Sequence, residues 1–480
     1  MVKLAVVCVV GVAMAGGAIG IDAQSTGVAA TPPMGWNSWD AYGLTITESQ
    51  FRDNVKVLHD KLQPYGWNYA VIDEGWFFFN PLDREKPDTL HYAIDQFGRY
   101  VPVPERFPSA LKGGAAAVGM NVDRKPTEQS THHLAVTFED TSFKVLGDWV
   151  HAQGLKFGIH IVRGIPRASV ERNLPVEGSA FHAQDVADTN DACPWDPTNW
   201  GVKDNAAGQA WYDSLLKQYA SWGVDLLKVD CIADHPYAIS EIRMIRRAID
   251  KTGRPMVLSL SPGPTSLSHA EEVAKLSNMW RISNDEWDIW DSKGKEFPQG
   301  VEDQFARFAA WEKYAGPGHW PDGDMLPWGE LKPVAGWQQP RSTRLTKDEE
   351  TTQITLWAMA RSPLILGANL TMLDGATQAL LTNKDVIAID QTSAGSAQVL
   401  DQKPLIAWRS KLKDGRMALA VFNTGDGAIR VDRKLADFDA AFAGRHYSVD
   451  EVWSRTHVGD SVDRVGVDLR PHACVLYLLR

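Results

Sequence analysis

From about residue 32 to residue 370 the chain alternates short apolar runs with stretches of helical periodicity, and this rhythm restricts the fold more than any other feature. The runs include Tyr69-Ala70-Val71-Ile72-Asp73, Lys156-Phe157-Gly158-Ile159-His160-Ile161-Val162 and Asp225-Leu226-Leu227-Lys228-Val229-Asp230. Pro255-Met256-Val257-Leu258-Ser259-Leu260 and Ser362-Pro363-Leu364-Ile365-Leu366-Gly367 follow. They are near-continuous rather than alternating, the pattern of strands covered on both faces. Between them lie amphipathic patterns such as Trp211 to Trp222 and Ala238 to Lys251. Strand, helix, strand in long repetition implies a parallel sheet. About eight such units predict an α/β fold, a (β/α)8 TIM barrel. The competing doubly wound sheet would want a Gly-rich phosphate loop after its first strand, and there is none.

Two regions interrupt the rhythm. Residues 77 to 142, with a His132-His133 pair, and residues 163 to 208, with Cys193, read as long excursions after strands. In a barrel such excursions overhang the catalytic face. After about residue 385 the pattern turns to short alternating strands, among them Leu405 to Arg409, Met417 to Phe422 and the terminal Ala473 to Leu478. That predicts an antiparallel β-sandwich. The expected organisation is a signal peptide at 1–23, a catalytic barrel at 28–378 and a C-terminal β-sandwich at 385–480.

The signal is read from Lys3, the apolar run Leu4 to Gly20 and small residues up to Ala23. The run is Gly-rich and at the short edge of spanning length, so export, to the periplasm or outside the cell, is expected rather than anchoring. No membrane association is expected after cleavage. Cys8 leaves with the signal, and Cys193, Cys231 and Cys474 remain. Three thiols in an exported chain suggest one disulfide and one left over. Cys474 sits in the terminal apolar run as a buried strand residue, which leaves Cys193 and Cys231 as the natural pair. There is no CxxC or His/Cys spacing for zinc, and no metal or cofactor is called for.

The positions of the carboxylates are the most informative detail. Asp73 and Glu74 end one strand, Asp230 ends another, Asp285 follows Met279 to Asn284, and Asp322 and Asp324 follow Gly318-His319-Trp320. One Asp after a strand is ordinarily a cap or turn residue. Several at the strand ends of one barrel converge on one pocket. Lys228, two residues before Asp230, faces the same side of its strand, and a cation there would keep Asp230 ionised. Paired carboxylates without a metal motif point to glycosidic-bond hydrolysis, which needs one carboxylate at the anomeric carbon and one acid at the leaving oxygen. The 19 tryptophans suit a carbohydrate partner where they stand at strand ends, although most read as core. A net charge of -11 argues against nucleic acid.

Thr31-Pro32-Pro33-Met34-Gly35-Trp36-Asn37-Ser38-Trp39 resembles the opening of glycoside hydrolase family 27, which holds α-galactosidases and α-N-acetylgalactosaminidases. So do Ile72-Asp73-Glu74-Gly75-Trp76, Leu227-Lys228-Val229-Asp230-Cys231, Trp280-Arg281-Ile282-Ser283-Asn284-Asp285 and Gly318-His319-Trp320-Pro321-Asp322-Gly323-Asp324-Met325. The resemblance implies a retaining double displacement with Asp230 as nucleophile and Asp285 as acid/base. It implies that Trp39, Asp73, Lys228 and Arg281 hold the sugar, and that Cys193 and Cys231 are bonded beside the nucleophile.

Four departures bear on the sugar and its surroundings. Glu74 stands where many relatives have a second Asp, and its extra methylene reaches toward the position of a galactose C6 hydroxymethyl. In this it is similar to β-L-arabinopyranosidases. Ser261, in Leu260-Ser261-Pro262-Gly263-Pro264, leaves space near the sugar's C2 and is similar to the N-acetylgalactosamine-accepting branch, unless Pro264 closes the gap. His160 replaces a more usual aromatic, and Arg163 reads equally as a substrate contact or a loop ion pair. Cys231 follows Asp230 with no residue between, so a strained or missing disulfide is expected. A retaining exo-glycosidase releasing α-D-galactosyl residues is the leading reading, with β-L-arabinopyranosidase and α-N-acetylgalactosaminidase as variants of it. A non-catalytic sugar-binding barrel and a phosphate-handling barrel are the other classes. The intact Asp230, Asp285, Lys228 and Arg281 oppose the first, and the lack of a Gly-rich anion site opposes the second.

Overall fold

Eight parallel strands make the central sheet of the computed structural model, which describes residues 27–84, 86, 89–111, 134–332 and 339–480. They are β1 (Met34–Asn37), β2 (Tyr69–Ile72), β3 (Lys156–Val162), β4 (Val224–Asp230), β5 (Val257–Leu260), β6 (Met279–Arg281), β7 (Trp320–Asp322) and β8 (Leu364–Leu366). From β1 to β7 they pair in sequence order, and β8 returns to pair with β1. The ring closes through a parallel bridge from Leu326, just past β7, to Leu366. The sheet is therefore curled into a TIM-type barrel and not doubly wound. The predicted runs match the strands because residues inside the ring and under the helices are both shielded from water. The close approach of β1 to β2 requires Gly35, where an added Cβ would lie 2.3 Å from the Tyr69 carbonyl oxygen.

Helices α1 (Glu48–Val57), α2 (Lys144–Ala152), α3 (Ala206–Trp222), α4 (Ile239–Thr252), α5 (Ala270–Leu276), α6 (Val301–Trp311) and α7 (Lys347–Ala360) alternate with the strands. Local chemistry sets their ends. Asn205 caps α3 by accepting from the Gly208 N–H, and Gly223 ends it in the left-handed region at φ 83°. The excursions expected at 77–142 and 163–208 follow β2 and β3, so both overhang the end where the strand carboxylates stand. They hold short elements such as the parallel pair His91–Ile94 and Leu134–Thr137. His132 and His133, like residues 1–23 where a signal is expected, lie outside the described residues.

After α8 (Lys384–Thr392) the chain builds an antiparallel sandwich. Its strands are β9 (Ala394–Gln402), β10 (Leu405–Lys411), β11 (Met417–Asn423), β12 (Ile429–Lys434), β13 (Tyr447–Glu451), β14 (Thr456–Val462), β15 (Arg464–Leu469) and β16 (Cys474–Leu479). One sheet has the order β9-β10-β11-β16-β13-β14, and β12 pairs with β15 as the second. Leu419, Val421, Val431, Phe442, Val449 and Tyr477 fill the layer between them. The opposite face of the large sheet, including Trp408, Ala418, Ala420 and Leu476, joins the barrel's own core. Helix α7 runs between the two and is buried along nearly its whole length. Cys474 is a free, half-buried thiol beside Thr355 of α7. No helix among the described residues is long and apolar enough to cross a membrane.

Candidate active site

The C-terminal ends of the strands surround a cavity of about 460 Å³, within the range of small-molecule sites. Its lining includes every one of Trp39, Asp73, Glu74, Lys228, Asp230, Ser261, Arg281 and Asp285. The structure thus brings together all the residues that the sequence singled out as catalytic or sugar-binding.

Asp230, the last residue of β4, is held from three directions. Its Oδ1 accepts from the Trp195 indole N–H at 3.0 Å, and its Oδ2 accepts from the Ser261 hydroxyl at 3.2 Å. The Nε2 of His160, on neighbouring β3, lies 3.5 Å from the same Oδ2. Burial acts to raise the Asp230 pKa, but the hydrogen bond and charge of His160, and then the charge of Lys228, outweigh it and hold it below the usual carboxylate range. The ionised Asp230 expected from sequence is present, but its main support is His160 rather than Lys228. Lys228 faces the expected side, yet its ammonium donates to Asp73 Oδ2 at 2.9 Å. A carboxylate from β2 reaches across the barrel mouth and takes the cation.

Asp73 is a fixed anion. Asn37 donates to Oδ2 at 2.7 Å, and the Glu74 N–H donates to Oδ1 at 2.8 Å. Burial opposes its ionisation, yet Lys228 and His160 hold its pKa well below the ordinary range. His160 in turn is buried, which disfavours its charge, but Asp73 and Asp230 raise its pKa above the ordinary value. Glu74 behaves oppositely: burial lifts its pKa, only partly countered by Arg84, whose Nε donates to Oε1 at 2.9 Å.

On the far side, Arg281 at the end of β6 pairs with Asp324 at 2.5 Å and donates to Asp285 Oδ1 at 3.3 Å. The Asp285 side chain is 37 % exposed, against 16 % for Asp230, so it stands at the rim. Asp322 accepts from the Asp324 N–H and serves the turn after β7. A second hollow of about 300 Å³ shares His235, Asn284 and Glu296 with the cavity, Asn284 being the residue before Asp285.

The flanking residues answer the other sequence questions. Cys193 and Cys231 are bonded, as the pairing predicted, and the backbone absorbs the tight succession after Asp230: Cys231 sits in the left-handed region at φ 59°. Arg163 is an ion-pair residue, with Asp191 held at 2.7 Å, Glu241 at 2.6 Å and the Cys231 carbonyl at 2.7 Å. Pro262, not Pro264, lines the cavity beside Ser261. Trp36, Trp67, Trp76 and six other tryptophans are fully buried core, whereas Trp39, Trp195 and Trp287 line the cavity.

Sequence reasoning missed Trp195, which lies in the second excursion and carries no motif. It also missed Asp40, whose buried Oδ2 has no hydrogen-bond partner among the described residues and which lines the cavity. The Trp39-Asp40 adjacency was the only available signal for it.

Comparison with known proteins agrees with this geometry. The alpha galactosidase A family model matches residues 203–392, and the model of the alpha galactosidase C-terminal beta sandwich domain matches 402–479. An α-galactosidase of Cyamopsis tetragonoloba is 25 % identical over 458 residues, covering 94 % of this chain and 87 % of its own. Alpha-galactosidase A of Cellvibrio japonicus is 27 % identical, over 88 % of this chain and 82 % of its own. The crystal structure of a family 27 β-L-arabinopyranosidase from Geobacillus stearothermophilus superposes with a TM-score of 0.81 at 38 % identity, covering 94 % of this chain and 96 % of that one. With both domains matched and a relative of that identity aligned over nearly its full length, the chain belongs to glycoside hydrolase family 27.

Proposed function

We propose that this glycoside hydrolase is a retaining exo-enzyme that releases terminal α-D-galactosyl residues, with Asp230 as nucleophile and Asp285 as acid/base. The observation that carries the reading is the contrast between two carboxylates on one cavity: Asp230 enclosed by donors and held ionised, Asp285 on the rim beside a second hollow. Asp230 attacks the anomeric carbon while the glycosidic C–O bond breaks, and Asp285 gives its proton to the leaving oxygen. The leaving group departs through the hollow at Asn284 and Glu296. Water then enters, Asp285 takes a proton from it, and the glycosyl ester on Asp230 is hydrolysed with net retention. Asp73, Lys228, Arg281 and Trp39 hold the sugar, the first three by its hydroxyls.

A second reading, β-L-arabinopyranosidase, is favoured by Glu74. Its carboxylate accepts from Arg84, which holds the longer side chain on the cavity wall. The 38 %-identical relative acts on that sugar. The N-acetylgalactosamine variant rests on the small Ser261, whose hydroxyl donates to Asp230 and which lines the cavity beside Pro262. We further propose export, with 1–23 as the signal, 28–378 as the catalytic unit and 385–480 as the sandwich; the disulfide supports an oxidising compartment.

The test is kcat/KM on nitrophenyl α-D-galactopyranoside and nitrophenyl β-L-arabinopyranoside, with Asp230→Asn as the blank. Activity on neither sugar, or retained activity in the variant, overturns the reading. A ratio favouring arabinose selects the second form.

A further inference from the structure

We infer that Trp195 is a positioning residue for Asp230, and that the Cys193–Cys231 bond delivers it. The inference rests on Asp230 being the nucleophile. Two short covalent paths meet here. Cys231 follows Asp230 directly, and Cys193 precedes Trp195 by two residues, so the disulfide joins the neighbour of the carboxylate to a residue one step removed from its donor. The indole N–H then closes the loop on Asp230 Oδ1 at 3.0 Å. Val162, Cys193, Cys231 and Trp195 pack as one small apolar cluster, which seats the indole as a unit with the bond.

An indole N–H donates and never accepts, so its partner here has to be an oxygen lone pair. Bonded to Oδ1, it fixes rotation of the carboxylate about its Cβ–Cγ bond. It persists when Asp230 becomes an ester through Oδ2, because Oδ1 is then the carbonyl oxygen and still accepts. The loop that carries Trp195 has no helix or strand between Asp188 and Asn199, so regular structure does not aim the ring. Two clamps do. Arg163 ties Asp191 to the Cys231 carbonyl, and the disulfide ties Cys193 to Cys231. Since Arg163 remains when the disulfide is removed, the loop stays near the barrel while the indole loses its fixed aim.

The test uses the full chain and a trinitrophenyl 2-deoxy-2,2-difluoro glycoside of the preferred sugar, which esterifies the nucleophile and turns over slowly. In the wild type, mass analysis of the labelled peptide must find the label on Asp230; a label elsewhere overturns the nucleophile reading itself. Trp195→Phe keeps the ring and removes the donor. Its inactivation rate constant is expected to fall about tenfold while the binding constant of the reagent stays within about twofold, the size of one hydrogen bond to a charged group. The Cys193→Ser/Cys231→Ser double variant is expected to show the same split, and adding Trp195→Phe to it is expected to change little further. Unchanged labelling in Trp195→Phe, or losses that multiply in the triple variant, overturn the inference. If Trp195→Phe does not fold, as read by circular dichroism, the cysteine variant carries the test: weakened binding with an unchanged rate constant overturns it.

Discussion

The Lys228 ammonium and the Asp73 carboxylate meet at 2.9 Å although their strands are separated by β3. The pair is almost dry, with side-chain exposures of 14 % and 2 %. His160 stands on the intervening strand, 3.9 Å from Asp73 and 3.5 Å from Asp230. An ammonium, an imidazole and two carboxylates thus alternate across three strands, so a change at one carboxylate is felt at the other.

Removing the ammonium leaves a buried anion unpaired. Lys228→Met is expected to lower stability by about 3–5 kcal/mol, read by urea unfolding at neutral pH. The Asp73 pKa is depressed in the fold, so its contribution is present above the unfolded value of about 3.9 and is lost as pH falls through the folded value. The wild type should therefore lose more stability between pH 5 and acid than the variant does. Parallel acid limbs in the two proteins would contradict the pairing.

Loss of His160 should be visible as a shift in pH dependence. His160→Phe removes the hydrogen bond and charge that hold the Asp230 pKa down, so the acid limb of kcat/KM should move upward. The histidine's own pKa is raised in the fold. Its contribution to stability is complete below the unfolded value of about 6.5 and is lost as pH rises through the folded value. The stability gap between wild type and variant should accordingly be widest in mild acid and narrow toward alkaline pH. A pH profile superimposable on the wild type refutes the role.

Glu74 sets the C6 side of the pocket. Glu74→Asp removes one methylene, and the ratio of galactoside to arabinopyranoside kcat/KM should rise about tenfold or more, in line with about 1–3 kcal/mol for a methylene-scale change. An unchanged ratio would mean that the carboxylate does not meet the sugar there.

Asp285→Ala should penalise poor leaving groups selectively. On natural glycosides the loss should reach about a hundredfold or more, the usual yield of a positioned acid. On a dinitrophenyl glycoside the glycosylation step should be far less affected. Equal losses on both substrates would rule out the acid role.

Much of this site was legible because it is built at strand ends, and strands buried on both faces leave an unbroken apolar signature. Asp73, Lys228 and Asp230 could be assigned to one pocket from that pattern alone. Which charge pairs with which could not, since the Lys228–Asp73 contact depends on barrel curvature bringing β2 toward β4. His160 was noticeable only as an unusual residue; its role follows from the register that sets it beside Lys228. Trp195 was invisible because its contact with Asp230 spans 35 positions and is made by a loop without a periodic pattern. Glu74 could be placed, but Arg84, which tethers it, lies in an excursion that reads as featureless.

Helix α7 has further consequences for how the molecule is made. Its flanks are the barrel on one side and the C-terminal sheet on the other, and β16, formed by residues up to Leu479, packs against it from the middle of that sheet. β11 and β13 cannot be joined until β16 lies between them. During synthesis β16 is made after the whole barrel, so the barrel's late helix waits with an oily flank until that strand has been added. A chain cut before Cys474 should therefore yield not a trimmed enzyme but one whose catalytic half never matures.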